Sequence, residues 1–435
     1  MELKIGSKVL IFILLLSVIF TSVAHAKIIT VCSSGCDYMS IQSAINSANI
    51  GDTIGVYSGV YYENVNVDKQ LIMRRLDTGA GKPVVDAGGS GNAITLSANG
   101  ITLEGFEAIN SGSYWPYLDS GIKVTSNNNV IKNNIVSNNH YGIYLVSSSN
   151  NTIFNNNASN NYIGIHLGYS SNNTLSTNNA NSNNLNGIYL SSSSNNSLFN
   201  NNANLNNNYG IYLSSSSSNT LSNNKVSNNY NGIYLYGSSN NILSTNNAKN
   251  NYNGISLEDS SNNTLKNNSM FNNIYNFGVY GNELSDFIQY IDKTNYVNGK
   301  TIYYLVSEKN LQIPRDAGYV GIVNSENITV KYLTLNNNTQ GVLLANTSNS
   351  RIEKVIAENN RYGIYLYSSS NNTISNNNAS NNIIGIYLFK SSNNTISNNN
   401  ALNDQYGIWL HYSSNNILSN NNASNNIIGI YLFKS

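Results

Sequence analysis

A five-residue pattern, first seen from Tyr141 to Leu145, recurs through most of the chain at an almost constant spacing. Its glycine returns at intervals of 22, 23, 23, 22 and 22 residues in a first block, and of 22 residues four times in a second. A period this short and regular is typical of a solenoid, in which each repeat packs only on its neighbours. The glycines are Gly142, Gly164, Gly187, Gly210, Gly232 and Gly254, followed by Gly341, Gly363, Gly385, Gly407 and Gly429.

The residues between successive glycines indicate strands rather than helices. No repeat places apolar residues at helical spacing, and short apolar segments alternate with turns rich in Ser and Asn. Two or three short strands in about 22 residues make one coil of a parallel β-helix, with neighbouring coils about 4.8 Å apart. The sequence therefore predicts an all-β solenoid.

Alternation along each repeat assigns the two faces of its strand. Ile and Leu two residues apart, such as Ile211 and Leu213, point the same way and are predicted to form the core. The residue between them points outward, and two interpretations of this row remain open: rings that only stabilise the sheet by stacking, or rings that bind sugars. The candidate binding residues are Tyr144, His166, Tyr189, Tyr212, Tyr234, Tyr365, Tyr387, Trp409 and Tyr431.

The N-terminal residues 1–26 have the pattern of a secretory signal peptide. Two lysines precede an apolar run, and Ala24-His25-Ala26 supplies the small residues of a cleavage site. We therefore expect an exported protein, at the cell surface, secreted or in the periplasm, although an uncleaved anchor is an alternative. In an exported chain, the pair Cys32 and Cys36 predicts a disulfide.

The amino-acid composition limits which classes of binding partner the chain can have. Only 10% of the residues are charged and the net charge is +1, so no basic patch indicates a nucleic-acid partner. The sequence has no phosphate-binding loop, no nucleophile elbow and no zinc-ligand spacing, and its few His and Met residues form no cluster suited to copper. We therefore expect no metal or cofactor, and a glycan rather than a nucleic acid as the partner.

The chain divides into segments by the regularity of the repeat. Residues 27–120 are expected to form an N-terminal cap and irregular coils, 121–281 regular repeats, 282–317 a charged interruption, and 318–435 further repeats. The interruption is predicted to be a β-rich flap on the side of the stack or, alternatively, a lid over a ligand. A short amphipathic helix is expected to cap the first coil, with one apolar face formed by Met39, Ile41, Ala44, Ile45 and Ala48.

Several non-repetitive segments resemble a known family. Residues 41–45 (IQSAI), 51–54 (GDTI) and 63–65 (ENV), and later 292–304 and 316–323, are similar to NosD-type proteins. The resemblance implies a right-handed parallel β-helix of the carbohydrate-binding and sugar-hydrolase (CASH) class, with the pectin-lyase-like fold, in the periplasm or at the cell surface. A role in copper maturation is implied only by the family name.

Four residues are candidates for acid–base chemistry. Asp119 and His140 each stand two residues before a glycine of neighbouring coils, so stacking would place them about 4.8 Å apart. Lys123 and Tyr144 follow along the same strands and could complete the proton-transfer set of a sugar lyase or epimerase. The alternative is that Asp119 and His140 are ordinary turn residues. We favour a non-catalytic carbohydrate-binding or structural protein, with an enzyme as the alternative.

The last 13 residues, 423–435, repeat residues 379–391 letter for letter and stop inside a coil. We interpret this as a fragment of a longer repeat protein or, alternatively, as an open edge that could pair with a second copy or with an envelope protein.

Overall fold

The computed structural model describes residues 26–77, 79–112 and 119–435. Almost all of the signal peptide predicted over residues 1–26 lies outside the described residues. Within them the chain is a parallel β-solenoid of about 18 turns with two short helices. The predicted all-β, right-handed parallel β-helix with a capping helix and one interruption is thereby confirmed. No helix of the described residues is long and apolar enough to cross a membrane.

The elements fall into four groups along the chain. The N-terminal coils contain β1 (Ile28–Val31), α1 (Ile41–Ser47), β2 (Thr53–Val56), β3 (Gly59–Tyr62), β4 (Val65–Val67), β5 (Ile72–Arg75), β6 (Pro83–Asp86), β7 (Ile94–Leu96), β8 (Thr102–Glu104) and β9 (Glu107–Ile109). The regular coils that follow contain β10 (Ser120–Val124), β11 (Val130–Lys132), β12 (Ile135–Ser137), β13 (Tyr141–Val146), β14 (Thr152–Phe154), β15 (Ile163–Gly168), β16 (Thr174–Ser176), β17 (Asn186–Ser191), β18 (Ser197–Phe199), β19 (Tyr209–Ser214), β20 (Thr220–Ser222), β21 (Lys225–Ser227), β22 (Asn231–Tyr236), β23 (Ile242–Ser244), β24 (Asn247–Lys249), β25 (Asn253–Glu258), β26 (Thr264–Lys266), β27 (Ser269–Phe271) and β28 (Tyr275–Tyr280). These two groups form the first stack.

A short junction separates this first stack from a second one. The junction contains α2 (Leu284–Phe287), β29 (Tyr290–Ile291), β30 (Tyr296–Val297) and β31 (Lys300–Val306). The second stack contains β32 (Ala317–Val323), β33 (Thr329–Lys331), β34 (Thr334–Asn336), β35 (Gln340–Ala345), β36 (Arg351–Glu353), β37 (Ile356–Glu358), β38 (Tyr362–Tyr367), β39 (Thr373–Ser375), β40 (Asn378–Ser380), β41 (Ile384–Phe389), β42 (Thr395–Ser397), β43 (Asn400–Leu402), β44 (Tyr406–His411), β45 (Ile417–Ser419) and β46 (Ile428–Phe433).

The N-terminal cap explains how the first coil is closed. Helix α1 packs on β1, β2 and β4 through buried Ile41 and Ile45. Two side chains accept hydrogen bonds from backbone amides at its N-terminus. The Ser40 hydroxyl accepts from the amide of Ser43, and the Glu63 carboxylate accepts from the amide of Ile41 at 2.9 Å. Met39 was placed on the apolar face by the sequence, but it precedes the helix and its side chain is 73% exposed. In the loop before α1, Cys32 and Cys36 are joined by a disulfide.

The predicted core is confirmed. In the first stack, the paired Ile and Leu of every coil from Ile143 to Leu257 are fully buried. The residue register carries Ile on Ile and Leu on Leu from one coil to the next, as in Ile188–Ile211 and Leu190–Leu213. At the last coil, Ile430 is 49% and Leu432 56% exposed, because no coil follows them in the structure.

Rows of asparagine close the turns. In one row, the backbone amide of Asn178 donates to Asn201 Oδ1 at 3.0 Å, while Asn178 Nδ2 donates to the carbonyl of Ile153 at 2.9 Å. Each amide thus pairs with the coil on either side, so buried turn groups are satisfied along the stack. The residue before each row member often adopts positive φ, as Asn155 does at 55°, a conformation that Asn tolerates well. In the repeated Asn-Asn pairs, the first Asn therefore forms the turn and the second belongs to the buried row.

Glycine recurs at one position of the repeat for a steric reason. A Cβ on Gly210 would lie 2.7 Å from the carbonyl oxygen of Gly232 in the next coil, and the same clash recurs along the column. Any side chain here would separate neighbouring coils, so only glycine fits the close approach.

The charged segment 282–317 is the junction between the two stacks. β29 and β30 add to two sheets of the first stack, and β30 then turns back in an antiparallel pair with β31. β31 pairs in parallel with β32 and opens the long-strand sheet of the second stack. This sheet therefore continues a short-strand face of the first stack and not its long-strand face.

The outer face of the new sheet covers the end of the first stack. Phe277 packs edge-on against Tyr319 with ring centroids 5.0 Å apart, and Phe287 packs on Tyr367 at 4.8 Å. The Tyr304 hydroxyl donates to the carbonyl of Phe287 at 2.6 Å. The first stack is thus capped by the side of the second, and the sheet from β31 to β38 has a buried core on both of its faces.

Candidate functional site

The outward aromatic row of the first stack is a continuous pile of rings. Successive ring centroids are 4.8 Å apart for Tyr144 and His166, 4.6 Å for His166 and Tyr189, 4.9 Å for Tyr189 and Tyr212, and 5.4 Å for Tyr212 and Tyr234. The ring planes are within 21° of parallel. Each ring face is therefore covered by the next ring, and mainly the edges and hydroxyls of this first aromatic row are left for a ligand.

One end of the first aromatic row is closed to solvent. Tyr144 and His166 are each only 7% exposed, because Tyr141 and Ile163 pack beside them. Burial lowers the pKa of His166 to about 4, so its ring is neutral at pH 7, and both ring nitrogens are buried without a partner in the described part of the chain. The accessible part of the row is Tyr189, Tyr212 and Tyr234, all half-buried.

The aromatic row of the second stack is also shortened. Tyr365, 7% exposed, lies under the junction, so only Tyr387, Trp409 and Tyr431 are half-exposed. Tyr365 and Tyr387 stack at 5.1 Å and 10°, whereas Trp409 tilts by 41° from Tyr387 and by 55° from Tyr431. A long outward row was predicted for each stack. The structure leaves three accessible rings in each, on two faces that are not continuous.

The acid–base candidates lie in neighbouring coils as their spacing predicts. The backbone amide of Tyr141 donates to the Asp119 carbonyl at 3.2 Å, and Lys123 is in register with Tyr144. However, the Asp119 carboxylate accepts from the amide of Gly91, the His140 ring stacks on Tyr162 at 4.9 Å, and no hydrogen bond joins these two side chains in the described residues. Burial lowers the pKa of His140, partly opposed by the charge of Asp119. A catalytic role for these residues stays a prediction.

A polar groove crosses four coils at the start of the second stack. Its volume is about 520 Å³. It follows the turns after the long strands β31, β32, β35 and β38, and every side chain in its wall is polar. The lining residues are Ser307, Lys309, Asn324, Ser325, Glu326, Asn346, Thr347, Ser348, Ser368 and Ser370. We refer to this feature as the corner groove.

The corner groove has an ordered wall and free hydroxyls. Asn346 Nδ2 donates to Asn324 Oδ1 at 3.0 Å, and Asn324 Nδ2 donates to Ser307 Oγ at 3.0 Å. The hydroxyls of Ser348 and Ser370 have no hydrogen-bond partner within the described part of the chain. The sequence analysis missed the groove because its Ser and Asn residues look the same in every coil. The one available signal was the charged pair Lys309 and Glu326, which interrupts that composition.

The described residues do not offer a metal-ligand set. No group of three or more His, Cys, Asp or Glu residues is placed to hold an ion within them. Met73 and Met270 are buried in the core, and His166 is enclosed by rings. Soft-metal sites need several such ligands converging on one point.

A comparison with known proteins finds a matching protein family. A family model described as "Periplasmic copper-binding protein (NosD)" matches residues 85–303 and 296–435. No curated protein matches the chain. Solved structures of similar fold include the Azotobacter vinelandii mannuronan C-5 epimerase AlgE4 A-module (TM-score 0.48, 13% identity, 78% of this chain and 89% of that chain). Another is an alginate lyase from Paenibacillus sp. str. FPU-7 (TM-score 0.42, 13% identity, 62% and 97%). At these identities the likeness concerns the fold alone.

Proposed function

The chain belongs to the NosD family, and from that premise we propose that it acts outside the cytoplasm as a non-catalytic β-helix that binds an extended neutral glycan along its second stack. The periplasmic location in the family description and the N-terminal pattern of residues 1–26 support export. The same description names copper. Among the described residues, no group of three or more His, Cys, Asp or Glu side chains is placed to hold an ion, so no step of the function is derived through copper.

The corner groove is the observation that carries the proposal. Its wall presents hydroxyls and amides, the groups that donate to and accept from sugar hydroxyls. The unpartnered hydroxyls of Ser348 and Ser370 are available for such bonds. Neighbouring coils are about 4.8 Å apart, close to the length of one sugar ring, so an extended chain along the axis would meet the same groups at each residue.

The charges in the groove fit binding better than catalysis. Lys309 and Glu326 bond to each other at 2.9 Å, and this ion pair lowers the pKa of the Glu326 carboxyl. A carboxylate held in this way is a weak proton acceptor at neutral pH and a poor proton donor. The pair instead provides one fixed donor and one fixed acceptor at the end of the groove.

The aromatic rows are proposed as secondary contacts. Since ring faces in the row Tyr189, Tyr212 and Tyr234 cover one another, these residues can offer hydroxyls and ring edges, but not the free faces on which sugars usually stack. Trp409 is tilted from Tyr387 and Tyr431, but Tyr406 and His411 stack on it at 4.8 Å and 5.6 Å, so its faces are also largely covered. A purely structural rod is the second candidate function, because the same stacking stabilises the sheet without any ligand.

A glycan array with the chain from residue 27 tests the proposal. We expect binding to neutral, extended glycans, and a loss of at least about tenfold in affinity for Ser348→Tyr/Ser370→Tyr, because the two rings fill the groove. The matched control is Ser392→Tyr/Ser414→Tyr, which changes the same column two coils further on, beyond the groove.

Two results would count against glycan binding in the corner groove. Equal affinity of the occluded and control variants would move the site elsewhere. Absence of binding to any glycan would leave the structural rod as the function. Release of cleaved products during the assay would instead favour the enzyme alternative, with Asp119 and His140 as the residues to change first.

A further inference from the structure

A second cleft, of about 480 Å³, lies on the first stack near its N-terminal end. It is lined mainly by charged side chains from three successive coils, among them Arg74, Arg75, Lys82 and Glu104. Only 10% of the whole chain is charged, so this concentration is unusual for the molecule. We refer to it as the charged cleft. It is on a different stack from the corner groove.

The two acidic residues of the charged cleft are already paired. Glu104 bonds to Lys132 at 3.0 Å, and Asp77 bonds to Arg75 at 2.7 Å. Arg74 is in register with Glu104 on the neighbouring coil, but no ion pair joins them, and its guanidinium is exposed. Within the described residues, Arg74 and Lys82 are therefore cations of the cleft without an ion-pair partner.

Lys82 is held at the wall of the cleft at an electrostatic cost. Its ammonium donates to the backbone carbonyl of Asn133 and is half-buried. Burial lowers the pKa of Lys82 and the neighbouring positive charge of Arg75 lowers it further, while Glu107 opposes both. A bound anion would stabilise the charged form of Lys82 and so offset both contributions, which makes the cleft suited to take one.

Gly105 explains how Arg75 reaches the cleft. A Cβ at this glycine would meet the Cγ and Cδ atoms of Arg75 at 3.0 Å, so the aliphatic part of Arg75 lies flat on the coil only because Gly105 has no side chain. Gly105 also has φ of 82°, which favours glycine. The guanidinium is then fixed by Asp77 at the rim.

We propose that the charged cleft binds a carboxylate-bearing sugar, such as a uronic acid residue of an acidic polysaccharide, with Arg74 and Lys82 as the cations that meet the carboxylate. Both cations can pair with the single negative charge of the sugar carboxylate. The carboxylates of Asp77 and Glu104 can accept hydrogen bonds from the hydroxyl groups of the sugar. Those same carboxylates would repel a doubly charged phosphate monoester more strongly than a singly charged carboxylate. A sulfate ester spreads its single charge over three oxygens, so each of its oxygens pairs more weakly with a cation than a carboxylate oxygen does. This inference goes beyond the neutral-glycan function of the corner groove and does not depend on it.

Titration with oligogalacturonate, a neutral galactan of matched length and a sulfated dextran tests the assignment. We expect oligogalacturonate to bind in a salt-sensitive manner, and its affinity to fall at least about tenfold in Arg74→Gln and in Lys82→Gln. Arg74→Gln changes an exposed side chain and should not perturb folding, which a melting curve checks. The control is Lys266→Gln, an exposed lysine in the same outward column of a distant coil. Bound oligogalacturonate should also protect Lys82 from acetylation.

Several outcomes would overturn the charged-cleft proposal. These are unchanged affinity in both Arg74→Gln and Lys82→Gln, binding of the neutral galactan equal to that of oligogalacturonate when the corner groove is filled by Ser348→Tyr/Ser370→Tyr, and tighter binding of the sulfated dextran. The groove variant Ser348→Tyr/Ser370→Tyr separates the two proposals. It should keep full affinity for oligogalacturonate, and a loss there would place the acidic sugar in the corner groove instead.

Discussion

Ile211→Asp is expected to lower the melting temperature more than any other single change considered. Ile211 is fully buried and stacks between Ile188 and Ile233 of the neighbouring coils. A carboxylate at this position would be surrounded by apolar side chains with no hydrogen-bond partner or counter-charge. We expect a loss of about 4 kcal/mol or more in the free energy of unfolding. Thermal melts and hydrogen exchange along the first stack would measure it.

A control on the same strand isolates the effect of burial. Ser214→Asp introduces the same charge at a half-exposed position of β19, where water remains accessible. We expect this variant to stay within about 0.5 kcal/mol of the parent, the usual range for surface changes. If Ile211→Asp melted like Ser214→Asp, the Ile and Leu face would not be the core.

Asp404→Asn is expected to stabilise the chain at neutral and alkaline pH. Asp404 occupies a rung of a row in which the coils on both sides carry Asn: the amide of Asn382 donates to Asp404 Oδ1 at 2.7 Å, and the amide of Asp404 donates to Asn426 Oδ1 at 2.7 Å. On the neighbouring rungs, Nδ2 donates to a backbone carbonyl, as from Asn382 to Ala357 at 3.0 Å. In Asp404 the corresponding atom, Oδ2, is a second oxygen, buried without a partner in the described residues.

The sign of the pH dependence follows from this geometry. Burial raises the pKa of Asp404 from 3.8 to about 7, so the folded state favours the protonated carboxyl, which alone can donate a hydrogen bond. The contribution of Asp404 to stability is therefore most favourable below about pH 4, declines as the pH rises, and is least favourable above pH 7. At about 1.4 kcal/mol per pH unit between the two pKa values, the loss amounts to roughly 4 kcal/mol.

Melting curves at pH 5 and pH 9 check this prediction. The parent should melt at a lower temperature at pH 9, whereas Asp404→Asn should lose most of that difference and exceed the parent at pH 9. Asp68→Asn, which removes an exposed carboxylate, is the matched control and should follow the parent. An identical pH dependence of Asp404→Asn and the parent would mean that the Asp404 carboxyl is ionised at little cost in the folded chain.

The repeat made the core and the turns predictable from sequence. Ile211 and Leu213 could be assigned inward because every coil repeats the same alternation, and the row around Asn201 could be foreseen because one position is Asn in coil after coil. The stacking of Tyr189 on Tyr212 is one of the two interpretations that the sequence left open, since the coil spacing is itself a ring-stacking distance. The structure shows this stacking, in which the ring faces cover one another.

Features that depend on contacts between distant parts of the chain could not be predicted from the repeat. Tyr365 looks identical to Tyr387 in sequence, but it is buried because the junction turns the second stack against the end of the first. Arg74 and Lys82 lie in irregular coils with no repeat against which to align them, so their convergence on one cleft had no periodic signal. Met39 was assigned by helical spacing, which fails where the helix begins two residues later.

The most direct test of the account is the dependence of affinity on glycan length. If an extended glycan lies along the corner groove, one sugar per coil, then cello-oligosaccharides should bind more tightly from the disaccharide onward and reach a plateau at about four residues, because the groove spans four coils. The same series with Ser348→Tyr/Ser370→Tyr should lose that dependence. Equal affinity for the disaccharide and the hexasaccharide, unchanged by filling the groove, would contradict the account.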